Sequence, residues 1–358
     1  MHWFQDFIAA ISVVLNGIPQ GILAMSLGFA VFPTTFSFVF ASAVNGTFGS
    51  VAPLSFQAES LALTGGLGKD MRERVSIVFF GSVIMAFIGF SGMLTKIVDF
   101  MGAPIMAGMM AGVGIMLSRI AINMAKDDKQ VGIISILVAG LTYILTQDLI
   151  WTIALSVILS SCYARFVQNY EQTLPAHITA RKFTFYKPKM SFNILRGALS
   201  LACLNIGANI SYGLITGSMT GIKPNPVDLN LLTSTQALAD MGTSLLGGAP
   251  VEAIISVTAS APEPVIAGIM MMLMMAIILF TGWLPKIGKY VPSTSIAGFL
   301  LVLGAVVIFP ADAATALGGT QIIIPAITLV VTAIIDPFAG LLIAGILKFL
   351  LPVVGFGA

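Results

Sequence analysis

The sequence predicts an all-α polytopic membrane protein, on its composition, a series of spaced apolar segments and an internal repeat. Apolar residues make up 57% of the 358 and charged residues 9%, with a mean hydropathy of +1.00. A soluble domain needs about 25% charged residues to cover its surface, so most of this surface is expected to face lipid. Apolar segments run from Phe7 almost to Ala358, so no separate soluble domain is expected.

Spans need about 17–25 apolar residues, and the runs and breakers give about fourteen of them. The first half reads Asp6–Leu27, Ala30–Gly46, a short irregular Gly49–Thr64, Val75–Gly92, Gly102–Met124, Val131–Leu145 and Leu149–Phe166. One long polar stretch, Gln168–Lys189, follows. The second half reads Ile194–Met219, Val227–Leu246, a short Gly247–Ser260, Val265–Trp283, Val291–Phe309, Gln321–Ile335 and Pro337–Val354. Residues 1–167 and 191–358 are thus expected to be two units joined by a loop over 168–190. The opening Met1-His-Trp-Phe-Gln-Asp6 lacks a basic stretch and a small-residue cleavage site, so the first apolar run is read as a retained span.

The halves repeat. Phe90-Ser-Gly-Met-Leu-Thr-Lys-Ile97 recurs as Phe280-Thr-Gly-Trp-Leu-Pro-Lys-Ile287. Extended without gaps, the pairing sets Ala107-Gly108 against Ala297-Gly298 and Gly114 against Gly304. About 11 of roughly 31 positions match at one offset, more than an apolar alphabet supplies easily by chance. With about seven spans per half, an odd number, the second copy enters the membrane in the opposite sense. Inverted repeats of this kind are a common secondary-transporter architecture, because rocking one part against another alternates access to a midplane site.

Other chemistries are excluded. Cys162 and Cys203 both fall in apolar runs and read as small core residues, and His2 and His177 are far apart, so no metal cluster or cofactor is expected. Gly68-Lys69-Asp70 lacks the hydroxyl and spacing of a phosphate loop, which argues against ATP as energy source. No nucleophile–base pair suggests an enzyme, and a net charge of +2 suggests neither an acidic partner nor nucleic acid.

Transporters bind substrate where helices break, because a broken helix frees backbone N–H groups. Gly49-Ser-Val-Ala-Pro53 and Gly247-Gly-Ala-Pro250 each read as extended chain feeding a half-helix, with two positive N-terminal ends meeting at mid-depth. Glu59 and Glu252 follow these prolines, at a depth where an acid costs about 2.5–3.5 kcal/mol and so faces a cavity or partner. Spacing puts Ser55 with Glu59, and Glu252 with Ser256 and Ser260, on single helix faces. Asn16 with Gln20, and Asn205 with Asn209, likewise share faces and suit either substrate or helix–helix hydrogen bonds. Phe56 suits stacking on a planar ligand, and Gln57 and Ala249 complete the candidate set. Gly108-x-x-x-Gly112 predicts close helix packing. Glu263, Asp312 and Asp336 sit at span ends, where solvated or capping roles are expected.

These features together resemble the nucleobase–ascorbate transporters (xanthine/uracil permeases) and their relatives, the sulfate permeases. Ile18-Pro-Gln-Gly21 and Gly49-Ser-Val-Ala-Pro53 look sulfate-permease-like, whereas Gly248-Ala-Pro-Val-Glu252 looks like the nucleobase side. The resemblance implies two inverted seven-span repeats with core and gate domains, and substrate held between the third and tenth spans. It also implies a homodimer in the plasma (cell inner) membrane, with H+ or Na+ as coupling ion. That family commonly carries a second acid in its eighth span, where this chain has Asn205 and Asn209. A nucleobase carrier is therefore the first expectation, an anion carrier the alternative, and a passive channel a third. Basic residues at Lys69–Arg74, Lys126–Lys129 and Arg165–Arg196 put the N-terminus outside by the positive-inside rule; the resemblance implies the reverse.

Overall fold

The computed structural model describes residues 2–171, 176–179 and 182–353; within the polar stretch, 172–175 and 180–181 lie outside them, as does the end of the last span from residue 354. The first half comprises α1 (His2–Ser26), α2 (Val31–Phe48), the short strand β1 (Leu54–Ser55), α3 (Ala58–Leu67), α4 (Met71–Ser91), α5 (Met93–Met101), α6 (Ala103–Asp127), α7 (Lys129–Thr146) and α8 (Leu149–Phe166). A single turn, α9 (Ala176–Thr179), lies in the connection. The second half begins with α10 (Phe192–Met219), α11 (Leu229–Ser244), the strand β2 (Glu252–Ala253) and a 3-10 turn at Val257–Ser260. It continues with α12 (Pro264–Phe280), α13 (Trp283–Gly288), α14 (Ala297–Leu301), a π-helical segment Val302–Ile308 and α15 (Phe309–Leu317). Two apolar helices, α16 (Ile323–Ile334) and α17 (Pro337–Val353), finish it. Among the described residues six segments are long and apolar enough to cross a membrane, from His2–Ser26 to the composite Ser293–Leu317. The protein is a multi-pass, all-helical membrane protein.

Local chemistry sets the breaks. The repeated Phe-x-Gly-x-Leu motif makes the same turn twice, with Gly92 at φ +67° and Gly282 at φ +70°. Only glycine takes that left-handed conformation without a steric cost, so each long helix stops there and a short one, α5 or α13, follows. Helix α4 starts with reciprocal capping, in which Glu73 N–H donates to Asp70 Oδ1 at 2.7 Å and Lys69 N–H donates to Glu73 Oε2 at 2.9 Å. Lys189 Nζ pairs with the other Glu73 oxygen at 3.0 Å.

The helices pack as two groups. One contains α1–α4 and α10–α13; the other contains α6–α8 and α14–α17. Small residues let backbones meet inside the second group. A Cβ on Gly108 would lie 2.5 Å from Pro325 O, and one on Gly112 would lie 2.6 Å from Leu329 O, so the Gly-x-x-x-Gly stripe is where α6 crosses α16. Gly114 and Gly304, equivalent in the sequence repeat, pack on each other: a Cβ on either meets the other's carbonyl within 2.7 Å.

Polar contacts sort the chain ends onto two faces. Arg74 donates to Leu27 O, Arg72 to Lys187 O at 3.0 Å and the Tyr186 N–H to Leu245 O at 2.8 Å, which gathers one end of α1, α4, α10 and α11. The described basic residues of 69–74, 126–129 and 165–196 and the pair Lys286 and Lys289 belong to that face. Lys96, Lys223 and Lys348 belong to the other, along with both ends of the described chain.

Some sequence expectations change. Cys162 is exposed and Cys203 only partly buried, rather than both being core; both thiols are free. Asp336 takes the capping role but is not solvated. It is fully buried, caps α17 by accepting from the Ala339 N–H at 2.8 Å, and accepts from Arg196 Nε at 2.6 Å across to α10. Asp312 lies inside α15, because the span extends on through the π-helical segment to Leu317.

Candidate functional site

The two interrupted segments meet as extended chain. Strands β1 and β2 pair antiparallel, with Leu54 opposite Ala253 and Ser55 opposite Glu252. Non-helical backbone at membrane depth survives only where protein satisfies its polar groups. Here side chains do so: Asn45 Nδ2 donates to Ala52 O at 2.9 Å, and Thr216 Oγ1 donates to Ile254 O at 2.8 Å. The Ala249 N–H donates to Thr34 Oγ1 at 2.9 Å and the Val251 N–H to Asp240 Oδ1 at 2.8 Å.

This arrangement corrects the expected pair of half-helices. After Pro53 the chain stays extended through β1, and helix begins only at Ala58. Ser55 therefore lies on a strand and does not share a helix face with Glu59. After Pro250 no α-helix forms before Pro264, so Glu252, Ser256 and Ser260 are not one helical stripe. The run Val251-Glu-Ala-Ile-Ile-Ser-Val257 is rich in β-branched residues, and the facing β1 offers hydrogen bonds that outcompete a helix. One helix N-terminus, that of α3, points at the site instead of two.

Beside that N-terminus lies a cavity of about 130 Å³. Its polar wall comes from the first helix group: Asn16 and Gln20 of α1, Ser55, Gln57, Glu59 of α3 and Tyr212 of α10. Its apolar wall comes from the second: Ile153 of α8 with Phe299, Leu303 and Ile308 around the π-helical segment. The cavity thus sits on the seam between the two groups. Phe56 also lines it and packs edge-on against Phe38 at 5.4 Å between centroids.

The candidate residues divide accordingly. Gln20 Nε2 donates to Asn16 Oδ1 at 3.2 Å, so the two amides form one unit in the wall. Gln57 is the N-cap residue of α3, and its Nε2 donates to Ala253 O at 3.4 Å, tying α3 to β2. Glu59 is 2% exposed in the first turn of α3, where the positive helix end favours an acid, and its Oε1 accepts from the Tyr212 hydroxyl at 2.9 Å. Glu252 is 1% exposed on β2, opposite Ser55. Glu252 does not line the cavity; of the groups that do, Glu59 Oε2, Ser55 Oγ and Gln20 Oε1 have no hydrogen-bond partner among the described residues. Buried polar atoms left without protein partners around one cavity are what a binding site needs. No Lys, Arg or His lines it.

Five candidates fall outside the wall, Glu252 of β2 and four more. Asn205 and Asn209 are buried in α10, and Asn209 Nδ2 donates to Thr233 Oγ1 of α11 at 3.1 Å, the helix-bridging alternative. Ala249 is packed behind the strands, and the Ser256 hydroxyl pairs with Thr258 at 2.6 Å. Tyr212 escaped the sequence reading, although it continues the Asn205, Asn209 stripe one helical turn on.

No family model and no curated protein matches this sequence. Solved structures do match. The transmembrane domain of the cyanobacterial bicarbonate transporter BicA superposes with a TM-score of 0.69 at 11% identity, over 95% of this chain and 97% of that one. SLC26A9 superposes with a TM-score of 0.73 at 14% identity, over 99% of this chain and 66% of that one. The murine Slc26a9 anion transporter in its inward-facing state gives a TM-score of 0.67 at 14% identity, over 98% and 68%. The chain has the fold of these membrane transporters. It spans nearly all of the BicA transmembrane domain and about two thirds of the length of the SLC26A9 chains.

Proposed function

We propose that this protein is a secondary carrier of a small inorganic anion, coupled to protons through Glu59 and Glu252. The observation that carries the reading is the cavity at the first turn of α3, at the seam of a fold shared with a bicarbonate transporter and an anion transporter. The anion carrier, second in the sequence reading, is favoured over the nucleobase carrier because the structures that share this fold include a bicarbonate transporter and an anion transporter.

The two acids supply the coupling. With no cation in the wall, an anion entering about 5 Å from an ionised carboxylate would meet roughly 3 kcal/mol of repulsion at an effective dielectric of about 20. Protonation removes that repulsion and turns an acceptor into a donor. Anion and proton then enter together, with the α3 N-terminus, Gln57, Asn16 and Gln20 as the other donors. The first helix group carries the polar wall past the second, apolar one. On this reading residues 1–167 and 191–358 are inverted seven-span repeats joined by 168–190, and the contacts Gly114–Gly304 and β1–β2 lie near their pseudo-two-fold axis. The same reading makes the protein a homodimer of the cell's inner membrane, with the basic face in the cytoplasm.

The test is uptake into liposomes of labelled bicarbonate, chloride and sulfate against labelled uracil and xanthine, under an inward proton gradient. Saturable uptake of an anion, unaffected by replacing sodium and abolished by collapsing the gradient, is expected. Base uptake alone refutes the substrate class, and a sodium requirement refutes the coupling ion.

A further inference from the structure

A second site lies away from the cavity, on the lipid-facing seam between α1, α8 and α13. An apolar trough of about 300 Å³ runs along it, lined by Leu15, Ile18 and Ile22 of α1, Val157 and Ile158 of α8, and Ile287. Leu15 to Ile22 covers about 10 Å at 1.5 Å per residue. Its outer rim faces the bilayer, with Leu15, Ile158 and Ile287 between 42% and 55% exposed. At the basic face the trough opens into a second pocket of about 490 Å³, and the two share Ser161, Cys162, Ile287 and Val291. Arg165, Lys286 and Tyr290 line this outer pocket.

The charge there is unbalanced. Arg165 and Lys289 share one carboxylate, Glu171, at 3.1 and 3.3 Å, and both stand over the Tyr290 ring at 4.9 and 4.5 Å. Lys286 has no ion pair among the described residues and is exposed. Three cations against one acid, above an apolar slot open to lipid, match one kind of molecule end to end. We propose that this crevice binds a single anionic phospholipid, its acyl chain in the trough and its phosphate against Arg165 and Lys286. Because α1 and α13 belong to one helix group and α8 to the other, the lipid bridges the seam. The binding does not depend on the carrier reading.

Native mass spectrometry of the full chain in detergent, titrated with phosphatidylglycerol or phosphatidylcholine, tests this. One phosphatidylglycerol is expected to stay bound under activation that strips phosphatidylcholine. The double variant Arg165→Gln/Lys286→Gln, both surface changes, is expected to weaken binding on the order of thirtyfold, from two basic side chains at a membrane surface. Ala154→Trp, which fills the trough, is expected to abolish it; if that variant does not fold, the charge variant still decides. Equal retention of both lipids, or phosphatidylglycerol binding unchanged in the charge variant, overturns the proposal. So does displacement by millimolar inorganic phosphate, which marks a free-phosphate site, or expulsion of the lipid on dimer formation, which marks a protein interface.

Discussion

Replacing Gly304 by alanine tests the packing that holds the π-helical segment against α6. The added Cβ would lie 2.5 Å from Gly114 O, 2.8 Å from Ser118 Oγ and 3.0 Å from Leu117 Cβ. An ordinary C···O contact is about 3.3 Å or more, so the two backbones must part by roughly 0.8 Å. Neither obstacle is a free rotor: Gly114 O is backbone, and Ser118 Oγ already donates to it at 2.8 Å. Overpacking of this kind costs about 1–3 kcal/mol, and about 2 kcal/mol lowers the melting temperature of a chain this long by roughly 3 °C. Gly140→Ala in α7 is the control. Nothing lies within 4 Å of its Cβ, and alanine in a helix interior is better than glycine by about 0.5–1 kcal/mol. The assay is the monodisperse fraction remaining after heating in detergent. Gly304→Ala should melt lower and Gly140→Ala the same or higher; equal melting of the two would refute the backbone contact. Because Leu303 and Ile308 lie in the segment and line the cavity, Gly304→Ala should also slow transport at temperatures where the protein is intact.

Three other outcomes are expected. Arg196→Gln leaves the fully buried Asp336 without its partner, and because Arg196 is itself 39% exposed the loss should be about 2 kcal/mol, measured by the same melting assay; an unchanged melt refutes the pairing. In a Cys162→Ser background, Lys223→Cys should react with an impermeant maleimide on whole cells and Lys126→Cys only after lysis; the opposite pattern refutes the orientation. Tyr212→Phe removes the donor to Glu59 Oε1, a charge-assisted bond, and should lower uptake about tenfold at unchanged membrane expression; full activity would detach Tyr212 from the site.

Much of the architecture was legible because its signals are local. Hydropathy and breakers marked an all-helical membrane protein, six of whose described segments are long and apolar enough to cross, and the Phe-x-Gly-x-Leu repeat marked two turns whose glycines take the same left-handed conformation. The cavity wall was partly legible as well: Asn16, Gln20, Ser55, Phe56, Gln57 and Glu59 all stand on it, since polar residues in apolar spans are rare enough to be noticed. What was not legible is non-local. Whether Glu252 sits on a helix depends on β1, nearly two hundred residues earlier in the chain, and proline followed by an apolar run reads alike in both cases. The π-helical register leaves no mark in composition, yet it brings Leu303 and Ile308 to the cavity. Tyr212 looked like one more apolar-span aromatic until its hydroxyl met Glu59.

Coupling of the anion to the proton is tested most directly in liposomes carrying an entrapped pH dye. A labelled anion is added outside with no imposed gradient, and its uptake is followed together with internal pH. The expected result is acidification in step with anion uptake, lost in the Glu59→Gln/Glu252→Gln double variant. Anion uptake with no change of internal pH, or acidification that survives in the double variant, would contradict the account.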